Sequence, residues 1–274
     1  MTSTSDHFFD RRNFLVLAGG ATVLAACGGA DSSATTGTSG TIDTGSAATT
    51  VTDSSTSVGG SSPAACLTPP SETSGPFPSD GSNSNGAGGT ADALHDPRCV
   101  RRDIRSNFDG SDTQEGTPMT LTVYVNDSSC NPLVGAAVYL WHCSKEGAYS
   151  GYSSRMLGGN FADATWLRGV QVVDADGTVT FDTILPGRYS GRAAHIHFEV
   201  FADDTLEQSL LVSQMAFDDE GIDSLYEAAG YATSLQHDTD NADDHIFSDG
   251  VDQQLLTISG DGATAVTAAI RVAL

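Results

Sequence analysis

The sequence predicts an all-β protein, a two-sheet antiparallel β-sandwich with long loops and little helix. The prediction depends on three observations: many short apolar or alternating runs, Gly, Pro and Asp residues between them, and weak helical periodicity. Many short strands with such turns are typical of antiparallel sandwiches. The predicted strands, in chain order, span residues 121–125, 136–141, 170–173, 179–181, 195–201, 210–217, 255–258 and 266–272.

Turn residues separate these strands. The segment 127–132 follows the first strand, and Asp174-Ala175-Asp176-Gly177 predicts a hairpin turn between the third and the fourth. The same four residues lack the remaining ligands and the terminal Glu of a calcium loop, so we interpret them as a turn. Apolar residues have their best helical spacing over residues 222–229, where we expect one short helix.

The N-terminus has the pattern of an export signal over residues 1–27. Arg11-Arg12 forms a twin-arginine box, and an apolar run follows it. The run ends in Leu24-Ala25-Ala26-Cys27, which resembles a bacterial lipobox with Cys27 as the lipidated residue. The run is too short for a membrane span, which needs about 20 apolar residues. We therefore expect export by the twin-arginine route and a lipid anchor in the membrane of the cell envelope, on its periplasmic or extracellular face.

Composition divides the rest of the chain into two parts. Residues 28–62 are mostly Ser, Thr, Gly, Ala and Asp, which cannot bury enough apolar surface to order the chain. We therefore expect them to form a disordered, flexible tether. Residues 63–274 are long enough for one domain with a hydrophobic core.

The formal net charge of −23 argues against nucleic acid as a partner. Basic residues nevertheless cluster around the Tyr and His motifs described below: Lys145, Arg155, Arg168, Arg188 and Arg192. They form either a positive pocket for an anionic ligand or surface pairs with the many Asp residues, and both interpretations stay open. The Asp-rich segment 238–244 is expected to be a solvated acidic loop.

Five cysteines are present, and four remain for disulfides if Cys27 carries lipid. An even number in an exported chain favours disulfides, with three connectivities available. Cys130 and Cys143 flank what the pattern indicates is one hairpin, so we predict that they pair. Cys66 would then pair with Cys99. A zinc site is the weaker interpretation, since no Cys-x-x-Cys spacing occurs.

His195 and His197 form a His-x-His pair on a predicted strand. Alternate strand residues share a face about 6.6 Å apart, so both imidazoles can reach one metal ion through bonds of about 2 Å. Glu199 shares the face and would complete a two-histidine, one-carboxylate site. It lies about 13 Å from His195 along a straight strand, however, and we leave it out of the set. Two partly buried structural histidines are the alternative interpretation of the pair.

Two tyrosines extend the candidate ligand set. Tyr189 follows the turn Pro186-Gly187 shortly before His195, and Tyr149 follows Gly147 in a loop after the predicted strand 136–141. A tyrosinate is a hard anionic donor, and a trivalent cation would favour it over the phenol, whose pKa is about 10. Two tyrosinates and one hydroxide would neutralise Fe(III), and two neutral histidines would complete its coordination. Each tyrosine alone is more commonly an aromatic of the core or its rim.

Further motifs accompany these residues in a fixed order. The full set is Glu72-Thr73-Ser74-Gly75-Pro76-Phe77, Leu140-Trp141-His142-Cys143, Gly147-x-Tyr149-Ser150, Leu167-Arg168-Gly169, Asp176-Gly177, Phe181-x-Thr183-Ile184-x-Pro186-Gly187-x-Tyr189 and Arg192-x-x-His195-Ile196-His197. In order and spacing, they resemble the intradiol ring-cleavage dioxygenases, which include protocatechuate 3,4-dioxygenases and catechol 1,2-dioxygenases. The pieces at 140–143 and 167–169 match the exported branch of that family, and the resemblance spans about residues 66–217.

The resemblance implies a non-haem Fe(III) centre held by Tyr149, Tyr189, His195 and His197. It implies an oxidoreductase that inserts both atoms of O2 into a catechol-type ring, cleaves the bond between the two hydroxylated carbons and gives a muconate-type diacid. A small aromatic diol and O2 are thus the expected partners, in the catabolism of aromatic compounds.

The resemblance also assigns roles beyond metal binding. Tyr189 is the ligand that the substrate displaces, and Arg192 is the cation that stabilises charge on the substrate ring. Gln214 corresponds to a glutamine that lines the same pocket, although two extra residues precede it in this chain.

Some positions depart from the family pattern or compete with it. Gly191 stands where relatives often carry Trp, which would widen or reshape the pocket. Tyr152 competes with Tyr149 as the first ligand, and the Gly-x-Tyr-Ser context favours Tyr149. His142 is expected to be structural.

Two other interpretations remain open at this point. One is a cell-surface β-sandwich binding module without ring-cleavage activity, and the other is a zinc or copper His-x-His protein. The sequence does not identify the catechol derivative. Oligomeric state is open as well, and a homo-oligomer is among the expected states because the family forms dimers and larger assemblies.

Overall fold

The structure is a computed structural model that describes residues 66–274. The export signal predicted over residues 1–27, its Cys27 and the tether predicted over residues 28–62 lie outside the described residues. Within residues 66–274, no helix combines the length and the apolar character that a bilayer crossing requires.

All eight predicted strands are present, with ends shifted by three residues or fewer, and four short strands are added. In chain order they are β1 (Asp80–Ser84), β2 (Thr90–Asp92), β3 (Pro118–Asn126), β4 (Ala137–Trp141), β5 (Ser153–Ser154), β6 (Gly159–Asn160), β7 (Arg168–Val172), β8 (Thr178–Ile184), β9 (His195–Phe201), β10 (Ser209–Ala216), β11 (Thr257–Gly260) and β12 (Val266–Ala273). The all-β prediction is confirmed.

The longer strands form two four-stranded sheets. The first sheet has the order β10-β9-β4-β7 and is antiparallel throughout. The second has the order β11-β12-β3-β8, in which β12 runs parallel to β3. This parallel pair is a difference from the predicted antiparallel sandwich. It arises because almost the whole domain separates the two strands in the chain, and a parallel pair requires such a long connection.

The predicted helix is confirmed and begins three residues earlier than expected, as α1 (Asp219–Ala229). The side chain of Asp218 accepts a hydrogen bond from the Gly221 amide at 2.9 Å and so caps the first turn. Gly230, with a φ of 68°, ends the helix in the left-handed conformation that glycine adopts without strain. Two short 3-10 helices, Pro97–Cys99 and Ser234–Gln236, complete the helical elements of the described residues.

The turn at residues 174–177 forms as predicted, with the Gly177 amide donating to the Asp174 carbonyl at 3.0 Å. The strands that it joins are not a hairpin, because β7 pairs with β4 in the first sheet and β8 pairs with β3 in the second. The turn therefore links the two layers of the sandwich. Alternation and turn residues are the same for a hairpin and for such a link, so the sequence pattern does not distinguish them.

Both predicted disulfide pairs are wrong. The disulfide joins Cys66 to Cys130, whose Cα atoms are 5.5 Å apart, whereas Cys99 and Cys143 are free and buried. Cys130 follows β3 in one sheet, while Cys143 follows the far end of β4 in the other sheet. The predicted hairpin would have placed Cys130 and Cys143 side by side, and the change of sheet separates them.

The two faces of β9 position the functional site. Ile196, Phe198 and Val200 belong to the hydrophobic core between the two sheets. His195 and His197 alternate with them and so lie on the outer face of the first sheet. Both are buried there because loops cover that face with a second apolar cluster.

Candidate metal centre

A row of three side chains crosses the outer face of the first sheet. His197 is paired in register with Trp141 of β4 on one side and with Gln214 of β10 on the other, and residues directly opposite each other share a face. The Trp141 ring stacks on the His197 imidazole, with 4.9 Å between ring centroids and 5° between the planes. The sheet itself therefore fixes where the His197 ring lies.

The four predicted metal ligands meet at one point. The hydroxyl of Tyr149 lies 3.3 Å from Nε2 of His195, and the hydroxyl of Tyr189 lies 3.2 Å from the same atom. The rings of His195 and His197 have centroids 4.8 Å apart, and the centroids of Tyr149 and His197 are 6.1 Å apart. The fold thus brings two phenol oxygens from separate loops to a pair of strand imidazoles.

Gly147 permits the close approach of the two tyrosine loops. Its φ is 84°, and a Cβ atom at this position would lie 3.0 Å from Cβ of Tyr189 and 3.2 Å from the carbonyl oxygen of Arg188. Any side chain at Gly147 would therefore be strained and would push the loops apart. This contact gives the Gly-x-Tyr pattern a structural reason.

Arg168 supports the Tyr149 loop from within the fold. Its guanidinium donates to the hydroxyl oxygen of Ser150 at 2.9 Å and to the carbonyl oxygen of Ser150 at 2.7 Å. It also donates to the carbonyl oxygens of Phe77 and Pro78, each at 2.9 Å. Arg168 is therefore a buried structural residue, and the anionic-pocket interpretation does not apply to it.

Three other basic residues of the predicted window lie away from the Tyr and His cluster. Arg188 is buried and lies 3.0 Å from the carboxylate of Asp223. The Lys145 amine lies 4.9 Å from the centre of the Tyr231 ring, and Arg155 is exposed. Within the described contacts, Arg192 is the member of the set that reaches the Tyr and His cluster.

Backbone contacts orient the His195 ring. Its Nδ1 lies 2.7 Å from the carbonyl oxygen of Ala193 and donates to it, which leaves the lone pair of Nε2 facing the two tyrosine hydroxyls. Metal-binding histidines commonly donate their second nitrogen to a carbonyl in this way, which fixes both tautomer and ring orientation.

Burial sets the protonation of the four side chains. It raises the pKa of Tyr189 to about 12 and raises the pKa of Tyr149 well above the usual value. It lowers the pKa of His195 to about 3 and lowers the pKa of His197 well below the usual value. The metal-free protein therefore holds neutral phenols and neutral imidazoles, and a metal that binds two tyrosinates must release two protons.

The donor set fits a hard trivalent cation. Nδ1 of His197 is buried and has no hydrogen-bond partner, and a buried nitrogen without a partner is costly unless a ligand completes its environment. Within residues 66–274, no group of three or more His, Cys, Asp or Glu residues could hold a metal ion. A metal at this point would therefore combine the imidazoles with the phenol oxygens, which are hard donors.

Arg192 and Gln214 form one hydrogen-bonded pair beside the cluster. The guanidinium Nη1 of Arg192 lies 3.4 Å from Nε2 of His195, and Nη2 donates to Oε1 of Gln214. The amide nitrogen of Gln214 donates in turn to the carbonyl oxygen of Thr73 at 2.9 Å. The two extra residues before Gln214 do not remove it from the site, because β10 pairs it directly with His197.

Asp244 is a site residue that the sequence analysis missed. It was expected to belong to a solvated acidic loop, but its side chain is fully buried and pairs with Arg192. Nε of Arg192 donates to both carboxylate oxygens, at 3.0 and 2.8 Å. An acidic residue in an Asp-rich segment gives no sequence signal that distinguishes this buried partner from its exposed neighbours.

The three remaining polar candidates lie outside the cluster. The Tyr152 hydroxyl accepts a hydrogen bond from the Ser79 amide at 2.7 Å, so it does not compete with Tyr149. His142 is buried and bonded to Thr183 and to the carbonyl oxygen of Cys143, as expected for a structural residue. Glu199 lies beyond His197 on β9, and burial raises the pKa of its carboxylate.

Gly191, where relatives often carry Trp, lies on the protein surface. It is exposed, has a φ of 80°, and a Cβ atom there would meet no heavy atom within 4 Å. In the chain it stands between the partly buried Tyr189 and the buried Arg192. The expected widening of the pocket stays a prediction.

Comparisons with known proteins agree with this geometry. A family model described as "Dioxygenase" matches residues 96–244, a range that contains the four candidate ligands, Arg192, Gln214 and Asp244. The match covers more than half of the chain, and the chain belongs to this dioxygenase family.

Curated relatives are similar over shorter stretches. The chain is 32% identical over 109 residues to a chlorocatechol 1,2-dioxygenase of Rhodococcus opacus, over 33% of this chain and 40% of the relative. It is 27% identical over 168 residues to catechol 1,2-dioxygenase 1 of Acinetobacter lwoffii, over 53% of this chain and 51% of the relative. The chain thus spans about half the length, or less, of the curated relatives it matches.

The fold has a counterpart among solved structures. An intradiol ring-cleavage dioxygenase from Tetranychus urticae superposes with a TM-score of 0.60 at 23% identity, over 76% of this chain and 94% of that chain. This likeness shows that the β-sandwich fold is shared.

Proposed function

We propose that the protein is a non-haem iron(III) intradiol dioxygenase, which inserts both atoms of O2 into a catechol-type ring and gives a muconate-type diacid. The observation that carries the proposal is the approach of two tyrosine hydroxyls to Nε2 of the buried His195, with the imidazole of His197 beside it. Membership of the dioxygenase family supports the same reaction class.

Tyr149, Tyr189, His195 and His197 would hold the iron. Two anionic oxygens and two neutral nitrogens suit a hard trivalent ion, and the neutral histidines need no deprotonation. A bound ferric ion would supply a Lewis acid and a template for the two oxygens of a catechol.

The two tyrosines differ in burial, and this supports different roles. Tyr149 is 1% exposed, whereas Tyr189 is partly exposed and lies next to the open position at Gly191. We assign Tyr189 as the side chain that gives way to the substrate and accepts a proton from a catechol hydroxyl. Tyr149 keeps its place in the buried part of the site.

Arg192 supplies the positive charge next to the substrate. Its guanidinium lies 3.4 Å from His195 Nε2, and a fixed cation in a buried site stabilises negative charge that develops on the ring. Gln214 holds the guanidinium through Oε1 and is itself held by the backbone of Thr73.

The substrate class follows from the relatives that the chain matches. Their names specify catechol and chlorocatechol as substrates of those proteins. We propose a catechol or a substituted catechol for this protein.

The activity is tested with purified, iron-loaded protein and a panel of catechol, protocatechuate and hydroxyquinol under 18O2. The proposal predicts a ring-opened diacid that carries two 18O atoms by mass spectrometry. Iron-loaded protein that turns over no member of the panel would contradict the activity and favour a binding module. Tight stoichiometric binding of zinc or copper in place of iron would favour the His-x-His alternative.

We also propose twin-arginine export and a lipid anchor at Cys27, supported by the sequence pattern of residues 1–27. Cells grown with labelled palmitate should incorporate the label into the wild-type protein and not into Cys27→Ala. Replacement of Arg11 and Arg12 by Lys should retain the protein in the cytoplasm. Equal labelling of wild type and Cys27→Ala would contradict the anchor.

A further inference from the structure

Asp244 makes an unusually complete set of contacts for a buried carboxylate. Its side chain is 0% exposed, and it accepts from Nε of Arg192 with both oxygens, at 3.0 and 2.8 Å. The amide of Ala193 donates to Oδ2 at 2.9 Å, and the amide of Ile246 donates to Oδ1 at 3.0 Å. The exposed His245 ring lies 3.9 Å away. Such a carboxylate is held rigidly, since each oxygen has a donor.

We propose that Asp244 is a positioning residue, which fixes the guanidinium of Arg192 so that its two terminal nitrogens face His195 and Gln214. This inference rests on the proposed function, because it assigns Asp244 to the same site.

The planarity of the guanidinium explains how one carboxylate can set its direction. Asp244 occupies the Nε edge of Arg192, and the five N–H donors lie in one plane. Once that edge is bound, Nη1 and Nη2 are directed away from it, towards Nε2 of His195 and Oε1 of Gln214. Without the carboxylate, the long side chain gains rotamers that turn its charge away from the substrate.

The same carboxylate links a distant loop to the histidine strand. Its bond to the Ala193 amide fixes the backbone between Arg192 and His195, and the carbonyl of Ala193 in turn orients the His195 ring. The centre of the Phe247 ring, from the Asp244 loop, lies 5.9 Å from the Arg192 guanidinium carbon. The Asp244 side chain therefore fixes the position of the Arg192 guanidinium and of the neighbouring backbone at Ala193.

The Arg102–Asp182 pair offers a matched control. Nε of Arg102 donates to the Asp182 carboxylate at 2.8 Å, the same distance as in the buried pair, but Arg102 is exposed and Asp182 is partly exposed. Asp244→Asn and Asp182→Asn each remove one charge from an arginine–carboxylate pair without changing side-chain size. Only the first should affect the site.

The first experiment measures kcat and KM for catechol with iron-loaded wild type and both variants. We expect Asp244→Asn to lower kcat at least about tenfold, since small misplacements of a catalytic group are costly, with KM changed less than threefold and iron content unchanged. Asp182→Asn should match the wild type. Wild-type kcat in Asp244→Asn, or loss of iron together with activity, would overturn the proposal in favour of no role or a purely structural one.

The second experiment needs no activity and remains informative if Asp244→Asn does not fold. NMR of 15N-arginine-labelled metal-free wild type, with Arg192→Lys for assignment, should show an Arg192 Nε–H that exchanges with solvent at least about 100-fold more slowly than exposed arginine Nε–H groups. Exchange as fast as that of exposed arginines would overturn the proposal. If the wild type shows slow exchange but cleaves no catechol, the proposed function fails and the Asp244–Arg192 contact stands.

Discussion

The Trp141 ring lies parallel to the His197 imidazole, with 4.9 Å between their centroids. The two residues face each other on β4 and β9, and both are buried. The indole nitrogen of Trp141 has no hydrogen-bond partner, so the contribution of this residue is packing. The stack restricts rotation of the imidazole and keeps its position before a metal binds.

Replacing Trp141 tests this packing role. Trp141→Phe keeps an aromatic face against His197, whereas Trp141→Leu removes it. We expect Trp141→Leu to weaken iron binding about tenfold or more, in the range of other losses of ligand support, and Trp141→Phe to weaken it less. Competition with a ferric chelator measures both. Equal iron affinity in the two variants would show that stacking does not orient the histidine.

Tyr189→Phe tests the assignment of the partly exposed ligand. We expect this change to shift the visible absorption of the iron-loaded protein and to slow ring cleavage about 100-fold or more, since it removes a proton acceptor. Tyr152→Phe is the matched control, because Tyr152 bonds the Ser79 amide outside the cluster. It should leave turnover unchanged and lower the free energy of unfolding by about 1 kcal/mol. Unchanged turnover of a competent catechol by Tyr189→Phe would mean that the ligand assignment is wrong.

The buried His142 should make the free energy of unfolding of the metal-free protein depend on pH. Burial lowers its folded-state pKa from 6.5 to about 4, so the unfolded chain takes up the proton first as the pH falls. The contribution of His142 to the free energy of unfolding is fully present above pH 6.5. As the pH falls towards 4, about 3 kcal/mol of that free energy is lost. Urea unfolding of wild type and His142→Asn at several pH values measures the difference. Parallel pH profiles for the two proteins would contradict a buried neutral His142.

The cysteines give a chemical test of the fold. Burial raises the pKa of both the Cys99 and Cys143 thiols to about 12, so native protein should leave them unalkylated by iodoacetamide. Both should react after unfolding, because thiolate formation no longer requires charge burial. Peptide mapping without reductant should recover Cys66 linked to Cys130. A peptide that links Cys130 to Cys143 would contradict the sheet assignment.

Patterns that act along a single strand were readable from the sequence. The alternation of β9 placed His195 and His197 on one face, and the Gly-x-Tyr and Pro-Gly-x-Tyr motifs identified the tyrosines that the fold brings to them. These predictions needed only strand periodicity, turn chemistry and the resemblance to a known family.

Features that depend on which of the two sheets a segment joins could not be predicted from the sequence. Cys130 does not meet Cys143 because β3 and β4 belong to different sheets, and local alternation carries no information about that choice; it pairs with Cys66 instead. Asp244 was missed for a related reason, since its burial depends on the loop after α1 returning to Arg192. Both features are set by contacts between residues far apart in the chain.

The visible absorption spectrum and the metal content of the iron-loaded protein test whether Tyr149 and Tyr189 bind ferric iron. We expect about one ferric ion per chain and a tyrosinate-to-iron charge-transfer band, which Tyr149→Phe and Tyr189→Phe each alter and the double variant abolishes. A colourless, iron-free protein after iron loading, or a band that survives in the double variant, would contradict this assignment.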